Sequence, residues 1–368
     1  MIRVRTTSRA RPGFTLVEML TVIVIIGILA SLITAAAIRA RTTARVAVIK
    51  AEINQIEMAL DLYKKEVGEY PPDFASWYAN PTVSNTSAIK EIERHILKRF
   101  PQYDYQSRGS VWKAFVWDLA HYGQDSSGNP VAAFPAAANP APDTSDPNYG
   151  AGLQLDPAAA LAFWLGGLPE SVPSSASEKW MPSGFHADPR HPFKAGLPRT
   201  KRYLEFKTDE QAGVPRLSQS YFDGTWTNRD ATGPLRYYPT AIPQTPYVYF
   251  RAQRSRDTGR WEYGQASGGS FMPYFYKHNG DSNNYAVPYL ELSPDSAGSA
   301  PNAGAAATKR PWRNMQTVQI IAAGLDGEFG DETAKFRYTR SGLGFSSEGR
   351  DRDNITNFTD GGTLEDEL

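Results

Sequence analysis

The chain has no cysteine among its 368 residues. Its fold therefore owes nothing to disulfides, and a thiol nucleophile is excluded. Neither an oxidising nor a reducing compartment follows from that absence. Charge of one sign is also lacking. There are 39 basic and 39 acidic side chains, and setting aside Arg3, Arg5, Arg9 and Arg11 leaves 35 against 39. A faintly acidic chain of this kind is not the profile of a nucleic-acid binder. Enzyme signatures are missing as well: no Gly-x-Ser-x-Gly elbow, no phosphate loop and no His-Glu-x-x-His. Histidine is scarce, five in all. His186 and His191 flank Asp188 in a Pro-rich stretch, either as metal ligands or as ordinary loop residues.

Two further absences organise the amino-terminal end. No charged side chain lies between Met19 and Ile38, and no proline between Phe14 and Val67. At about 1.5 Å rise per residue the uncharged run spans roughly 30 Å, the thickness of a bilayer core. Beyond it, Val46, Ile49, Ile53, Ile56, Leu60, Tyr63 and Val67 recur at alternating steps of three and four. That spacing predicts one apolar stripe on a helix, with Arg45, Lys50, Glu52, Glu57 and Lys64 off it. Gly68 and the Pro71-Pro72 pair end the element. The stripe can pack on the chain's own globular part or drive a two-stranded coiled coil.

Glu18 sits at the edge of the uncharged run. A carboxylate there costs on the order of 2–3 kcal/mol unless it finds a partner or snorkels to the headgroups. No Lys or Arg on the apolar run neutralises it. Orientation does not follow from charge: the four leader arginines face Arg39, Arg41, Arg45 and Lys50 on the other flank. A secretory signal would carry a small-x-small cleavage site after its apolar region. Here the processing signature precedes it.

Gly13-Phe14-Thr15-Leu16-Val17-Glu18 followed by the apolar run resembles the amino terminus of type IV prepilins and of type II secretion pseudopilins. The resemblance implies a leader over 1–13 and a prepilin peptidase that cuts between Gly13 and Phe14 and methylates Phe14. It implies that Glu18 pairs with the terminal amine of a neighbouring subunit during assembly. It also places the leader in the cytoplasm and the carboxy-terminal bulk in the periplasm, on a single pass through the bacterial inner membrane. The expected partners are other pilin or pseudopilin subunits in a helical filament and an inner-membrane assembly platform. No nucleic acid is expected. Ala59-Leu60-Asp61-Leu62-Tyr63-Lys64 and Gly68-Glu69-Tyr70-Pro71 resemble the major pseudopilins again.

The expected fold is α+β and type IV pilin-like. A long helix covers 14–67, transmembrane over about 19–38 and amphipathic over about 39–67. It packs on a mostly antiparallel sheet in a globular part, 68–368, with an enlarged insert over about 74–310. Within that part Ser87 is a candidate cap for a helix running to Phe100. Asp156-Pro157 starts a short helix over Ala158 to Leu165, stopped by Gly166-Gly167. Tyr203–Phe206, Tyr247–Phe250, Phe271–Tyr276 and Val318–Ala322 read as strands. Residues 125–155 and 293–308 read as loops.

Gly324-Leu325-Asp326-Gly327-Glu328-Phe329-Gly330 and the later Asp353-Asn354-Ile355 resemble the calcium loop of the major pseudopilin. The resemblance makes Asp326, Asp353 and Asn354 the candidate Ca²⁺ ligands, with Asp351 weaker. Hard oxygen donors on glycine-rich turns suit that cation. Turns satisfied by their own backbone are the alternative. About twenty extra residues separate the two halves, and Asn354 stands where the family carries an acid.

The resemblance implies a structural subunit of a secretion filament, not an enzyme. Two other readings stand beside it. One is a minor type IV pilus subunit for adhesion, motility or DNA uptake. The other is a membrane-anchored periplasmic glycan-binding protein. That reading uses Tyr247, Tyr249, Phe250 and Trp261 with Arg251, Arg254, Arg256 and Arg260, unless this run is a hairpin with packed aromatics.

Overall fold

The computed structural model describes residues 15–82, 84–124, 130–131, 153, 155–170, 181–207, 216–218, 235–254, 259–267, 270–278, 281, 283–290, 312–330, 337–338, 350–360 and 362–367. The chain forms two compact units, Met1–Arg45 and Val46–Leu368. Helix α1, Leu16–Val67, runs through both. In the first unit its side chains are exposed, among them Leu20, Ile23, Ile26, Leu29 and Ile33. By length and composition this helix is able to cross a membrane.

In the second unit the stripe is buried. Ile49, Ile53, Leu60 and Tyr63 are 0 % exposed. They share a hydrophobic core with Val318, Ile320, Ala322 and Ile355, so the chain's own globular part covers the stripe and no coiled-coil partner is needed. Gly68 closes α1 in the left-handed conformation, φ 87°, and its N–H donates to the Lys64 carbonyl at 2.7 Å. Lys64 and Lys65 in the last turn complement the helix dipole.

Three short helices follow: α2 over Ala75–Ala79, α3 over Thr86–Arg99 and α4 over Val111–Ala120. The cap of α3 is Asn85, not Ser87. Its side chain accepts the Ala88 N–H at 3.3 Å. Ser87 lies two residues further on, inside the first turn, and the cap position that takes the Ala88 amide is held by Asn85. Helix α5, Ala159–Leu161, begins where the sequence places it. Asp156 Oδ1 accepts from the Ala158 and Ala159 amides at 3.0 and 2.8 Å. The turn widens to π-type over Ala162–Gly166 before Gly167, at φ 76°, ends it.

Strand structure is α+β but fragmented. Among the described residues the largest sheet has three antiparallel strands, with Val318–Ala322 between Val248–Arg251 and Ile355–Thr356. The rest are two-stranded ribbons, and Tyr289–Leu290 with Arg337–Tyr338 is a parallel one. Ser270–Pro273 is a strand within the predicted 271–276 run. Tyr203–Phe206 is not. Its Tyr203 ring packs on Tyr63 at 4.9 Å between centroids, and the Tyr203 amide bonds the Leu165 carbonyl at 2.8 Å. The aromatic spacing there serves packing on α1 instead of a ladder. All of 293–308 and most of 125–155 lie outside the described residues.

Much of the core is aromatic and supplied by loops. Phe185 and Phe193, on a Pro-rich segment, meet Phe100, Phe115 and Phe163 edge-on at 5.1–5.5 Å. Such edge-to-face pairs are favoured by the ring quadrupole. His95 is sealed in the same region, with Nε2 2.7 Å from the Tyr63 hydroxyl and Nδ1 2.8 Å from Glu69. Burial pushes its pKa down to about 4, so near neutrality the ring is uncharged. A neutral ring facing a carboxylate donates from Nδ1 and accepts from the tyrosine.

Candidate functional site

The residues that carry the sequence reading fall at two places. At the amino-terminal end, Gly13 and Phe14 lie outside the described residues. Glu18 is described and exposed. Its Oε2 accepts from the Thr15 amide and the Thr15 hydroxyl, both at 2.8 Å, while the Glu18 amide donates to Thr15 Oγ1 at 3.2 Å. This is a reciprocal capping box, in which two otherwise orphan N–H groups of α1 are satisfied. The Thr-x-x-Glu spacing before an apolar run carries that signal, and our sequence reading passed over it. Among the described residues, then, the carboxylate closes its own helix start and meets no cation.

The second place is the turn after strand Val318–Ala322. Gly327, at φ 81°, closes a turn through its N–H to the Gly324 carbonyl at 2.9 Å. Asp326 Oδ1 accepts the Glu328 amide at 2.8 Å. The Asp353 carboxyl lies against the backbone of Gly324, so closely that a Cβ there would meet its carbon at 1.8 Å. Only glycine fits at 324 beside this aspartate. Leu325 and Asp326 amides donate to Asp353. Burial, and next the charge of Asp326, push Asp353 up to about 6. Burial also raises the pKa of Asp326.

Asp326 and Asp353 therefore converge, as ligands of a hard divalent cation must. Asn354 does not join them. It is fully buried, its Oδ1 accepts the Gly324 amide at 3.1 Å, and its Nδ2 donates to the Tyr289 hydroxyl at 2.9 Å and the Phe329 carbonyl at 3.0 Å. Its amide ties the loop to the core. Asp351 is fully buried in the adjoining turn. Among the described residues no group of three His, Cys, Asp or Glu side chains is placed to hold a metal. His186 and His191 belong to a loop knitted by its own backbone: His186 Nδ1 accepts the Asp188 amide, and the His191 amide donates to the Asp188 carbonyl.

Comparison with known proteins bears on the first place. A profile for the prokaryotic N-terminal methylation motif matches residues 8–34. The amino-terminal segment carries that methylation motif. Type II secretion system core protein G of Pseudomonas aeruginosa is 43% identical over 63 residues, which cover 17% of this chain and 44% of that protein. The chain thus spans less than half the length of the curated relative it matches. No solved structure matches. The matched residues of the methylation motif contain Gly13, Phe14, the Thr15–Glu18 capping box and most of the exposed apolar half of α1. The Gly324–Asn354 turns lie outside it.

The aromatic–arginine run divides between two fates. Tyr247, Tyr249 and Phe250 are 0 % exposed and belong to the core. Gln253–Arg254 pairs with Trp261–Glu262 as a hairpin, with Trp261 half-buried against the second core cluster. Packing wins for the tyrosines because strand Val248–Arg251 sits beside the central strand of the three-stranded sheet.

Proposed function

We propose that this chain is a pseudopilin-like structural subunit of a type II secretion-like filament. A prepilin peptidase trims it between Gly13 and Phe14 and methylates Phe14. It then waits in the inner membrane on residues 19–38, with its carboxy-terminal unit in the periplasm. Assembly bundles the apolar half of α1 with those of neighbouring subunits, and the assembly platform draws it out of the lipid. The observation that carries this reading is the methylation motif running without interruption into the exposed stretch of α1 over 19–38, which has no charged side chain. An exposed apolar surface of that extent needs lipid or other helices to cover it. The test is the mature amino terminus, read by mass spectrometry after co-expression with a prepilin peptidase. N-methylated Phe14 is the expected result. An intact leader, or a cut beyond Ala30, would remove the filament reading and favour an anchored binding protein.

Calcium is a second reading, on Asp326 and Asp353. What favours it is the approach of the two carboxyls on glycine-rich turns: burial, and next the charge of Asp326, lift Asp353 to about 6. Because this folded-state value lies above the ordinary 3.8, the folded chain holds an extra proton on Asp353 between about pH 4 and 6. That contribution to stability is present at acid pH and lost as pH rises through 6. A cation would offset the repulsion only where both carboxylates are ionised. Calcium against a chelator is therefore expected to raise the melting temperature by about 5 °C above pH 7 and by nothing below about pH 5. A shift of equal size at both pH values, or none at either, rejects the site.

A further inference from the structure

A second, unassigned cleft lies in the carboxy-terminal unit, far along the sequence from the methylation motif. It encloses about 760 Å³ between the end of α1, the start of α3 and the 253–262 hairpin. That volume is in the range of sites for small ligands. Its lining is unlike an apolar pocket. Five cationic side chains and three carboxylates face it, with tyrosine and tryptophan rings between.

The charges are unequally spent. Arg94 pairs with Glu69 at 2.7 Å, and Arg251 pairs with Glu91. Lys64, Lys90 and Arg254 have no carboxylate within ion-pair distance among the described residues. Lys64 lies over the Tyr70 ring at 4.3 Å, Arg254 Nε reaches only the Gly259 carbonyl, and Lys90 is exposed. At the floor, buried Arg251 spends Nη1 on the Tyr70 carbonyl at 2.7 Å, and its Nε has no hydrogen-bond partner. The cleft therefore has an uncompensated positive rim over a floor of fixed donors and acceptors.

Three ligand classes suit cations beside aromatics, and the residues separate them. A nucleic-acid strand needs a basic stripe along its phosphates, and a chain with 39 basic against 39 acidic side chains does not carry that footprint. An acidic peptide docks on a cluster of unpaired arginines, whereas Arg94 and Arg251 here are already paired with Glu69 and Glu91, or it adds to a strand edge through free backbone amides. The edge here is strand Val248–Arg251, and its amides are already taken: Arg251 N–H by Asp73 at 2.8 Å and Tyr249 N–H by the Pro157 carbonyl at 3.1 Å. A saccharide uses all of what remains. Beside their existing bonds, the paired Glu69 and Glu91 keep lone pairs that accept from hydroxyls, the half-buried Trp261 offers a face to sugar C–H groups, and Lys90 and Arg254 take acid groups on the sugar.

We propose that this cleft binds an acidic oligosaccharide of the uronate class, with Trp261 as the stacking platform and Lys90 and Arg254 receiving the carboxylates. The inference does not depend on the filament reading, because no residue of the cleft lies in the methylation motif.

The experiment titrates the full chain in lipid nanodiscs with oligogalacturonate, oligomannuronate, a neutral galacto-oligosaccharide and oligoglutamate, by calorimetry. At least one uronate should bind about tenfold or more tightly than the neutral sugar, with affinity falling as salt rises. Lys90→Glu, a change at an exposed side chain, should weaken that uronate about tenfold and flatten the salt dependence. Trp261→Ala should remove binding of both sugar types, with its melting curve recorded to separate misfolding from lost stacking. Binding by neither uronate, equal binding of oligoglutamate, or an unchanged affinity in Lys90→Glu overturns the proposal. Glu18→Ala should bind as the parent does, so failure of the filament reading and failure of this one are read separately.

Discussion

Glu18→Ala is expected to insert and fold like the parent yet fail to enter filaments, with incorporation falling by more than tenfold. Among the described residues the carboxylate's hydrogen bonds go to Thr15, whereas the Val46–Leu368 unit rests on its own core. Losing the capping box costs about 1 kcal/mol of local helix stability and leaves that unit untouched. Alanine alone, however, removes both the cap and the charge. Glu18→Gln separates them, because glutamine at this position of a capping box still reaches back to the amide of the capping residue. If the negative charge matters, by drawing a cationic terminal amine from a neighbouring subunit, Glu18→Gln should be as defective as Glu18→Ala. If Gln incorporates normally, the carboxylate acts through its own helix start and the pairing idea is withdrawn. Crosslinking of filaments in cells, with membrane insertion measured in parallel, reads both variants.

Glu52→Ala carries the largest expected loss of stability, about 3–5 kcal/mol. Glu52 is 3 % exposed and lies between Arg216, 3 % exposed, and the Thr240–Tyr247 segment. It accepts from Arg216 Nη2 at 2.8 Å, Thr240 Oγ1 at 2.6 Å and the Tyr247 hydroxyl at 2.7 Å. Alanine would leave the Arg216 charge buried beside unspent hydroxyls, which is the costly case. Replacing both ends, Glu52→Met with Arg216→Met, should recover most of the loss because no unpaired charge remains. Urea denaturation of the parent, Glu52→Ala and the double variant measures this. A single-variant cost under about 1 kcal/mol would mean that the pair is hydrated in solution and is not the buried clamp described here.

The two predictions concern one helix and differ in how visible their residues are in the sequence. Glu18 stands out because everything around it is local: a glycine, a capping threonine three residues before, and an apolar run after. Helix α1 follows from the same kind of information, since period, missing proline and a terminal glycine all act within a few residues. Asp156 as a helix start and Val318–Ala322 as a strand are legible for that reason too. By contrast, Glu52 reads as a solvent-side charge. Its partner Arg216 is 164 positions away, and burial of a charge is affordable only when such a partner arrives.

The same distance hides the rest. Asn354 looks like a calcium donor by its neighbours, while the fold commits its amide to Gly324, Tyr289 and Phe329. Tyr203–Phe206 reads as a strand, yet among the described residues no strand pairs with it, and Tyr203 packs on Tyr63 of α1 while Phe206 packs on Tyr237. The cleft is assembled from α1, α3 and the 253–262 hairpin, so no window of sequence contains it. Local backbone preference and hydrophobic period are written into short stretches, and they give the long helix, its ends and the processing motif. Which polar groups become buried, paired or gathered around a cavity depends on contacts between distant segments, because desolvation and charge pairing are settled only when the chain closes on itself.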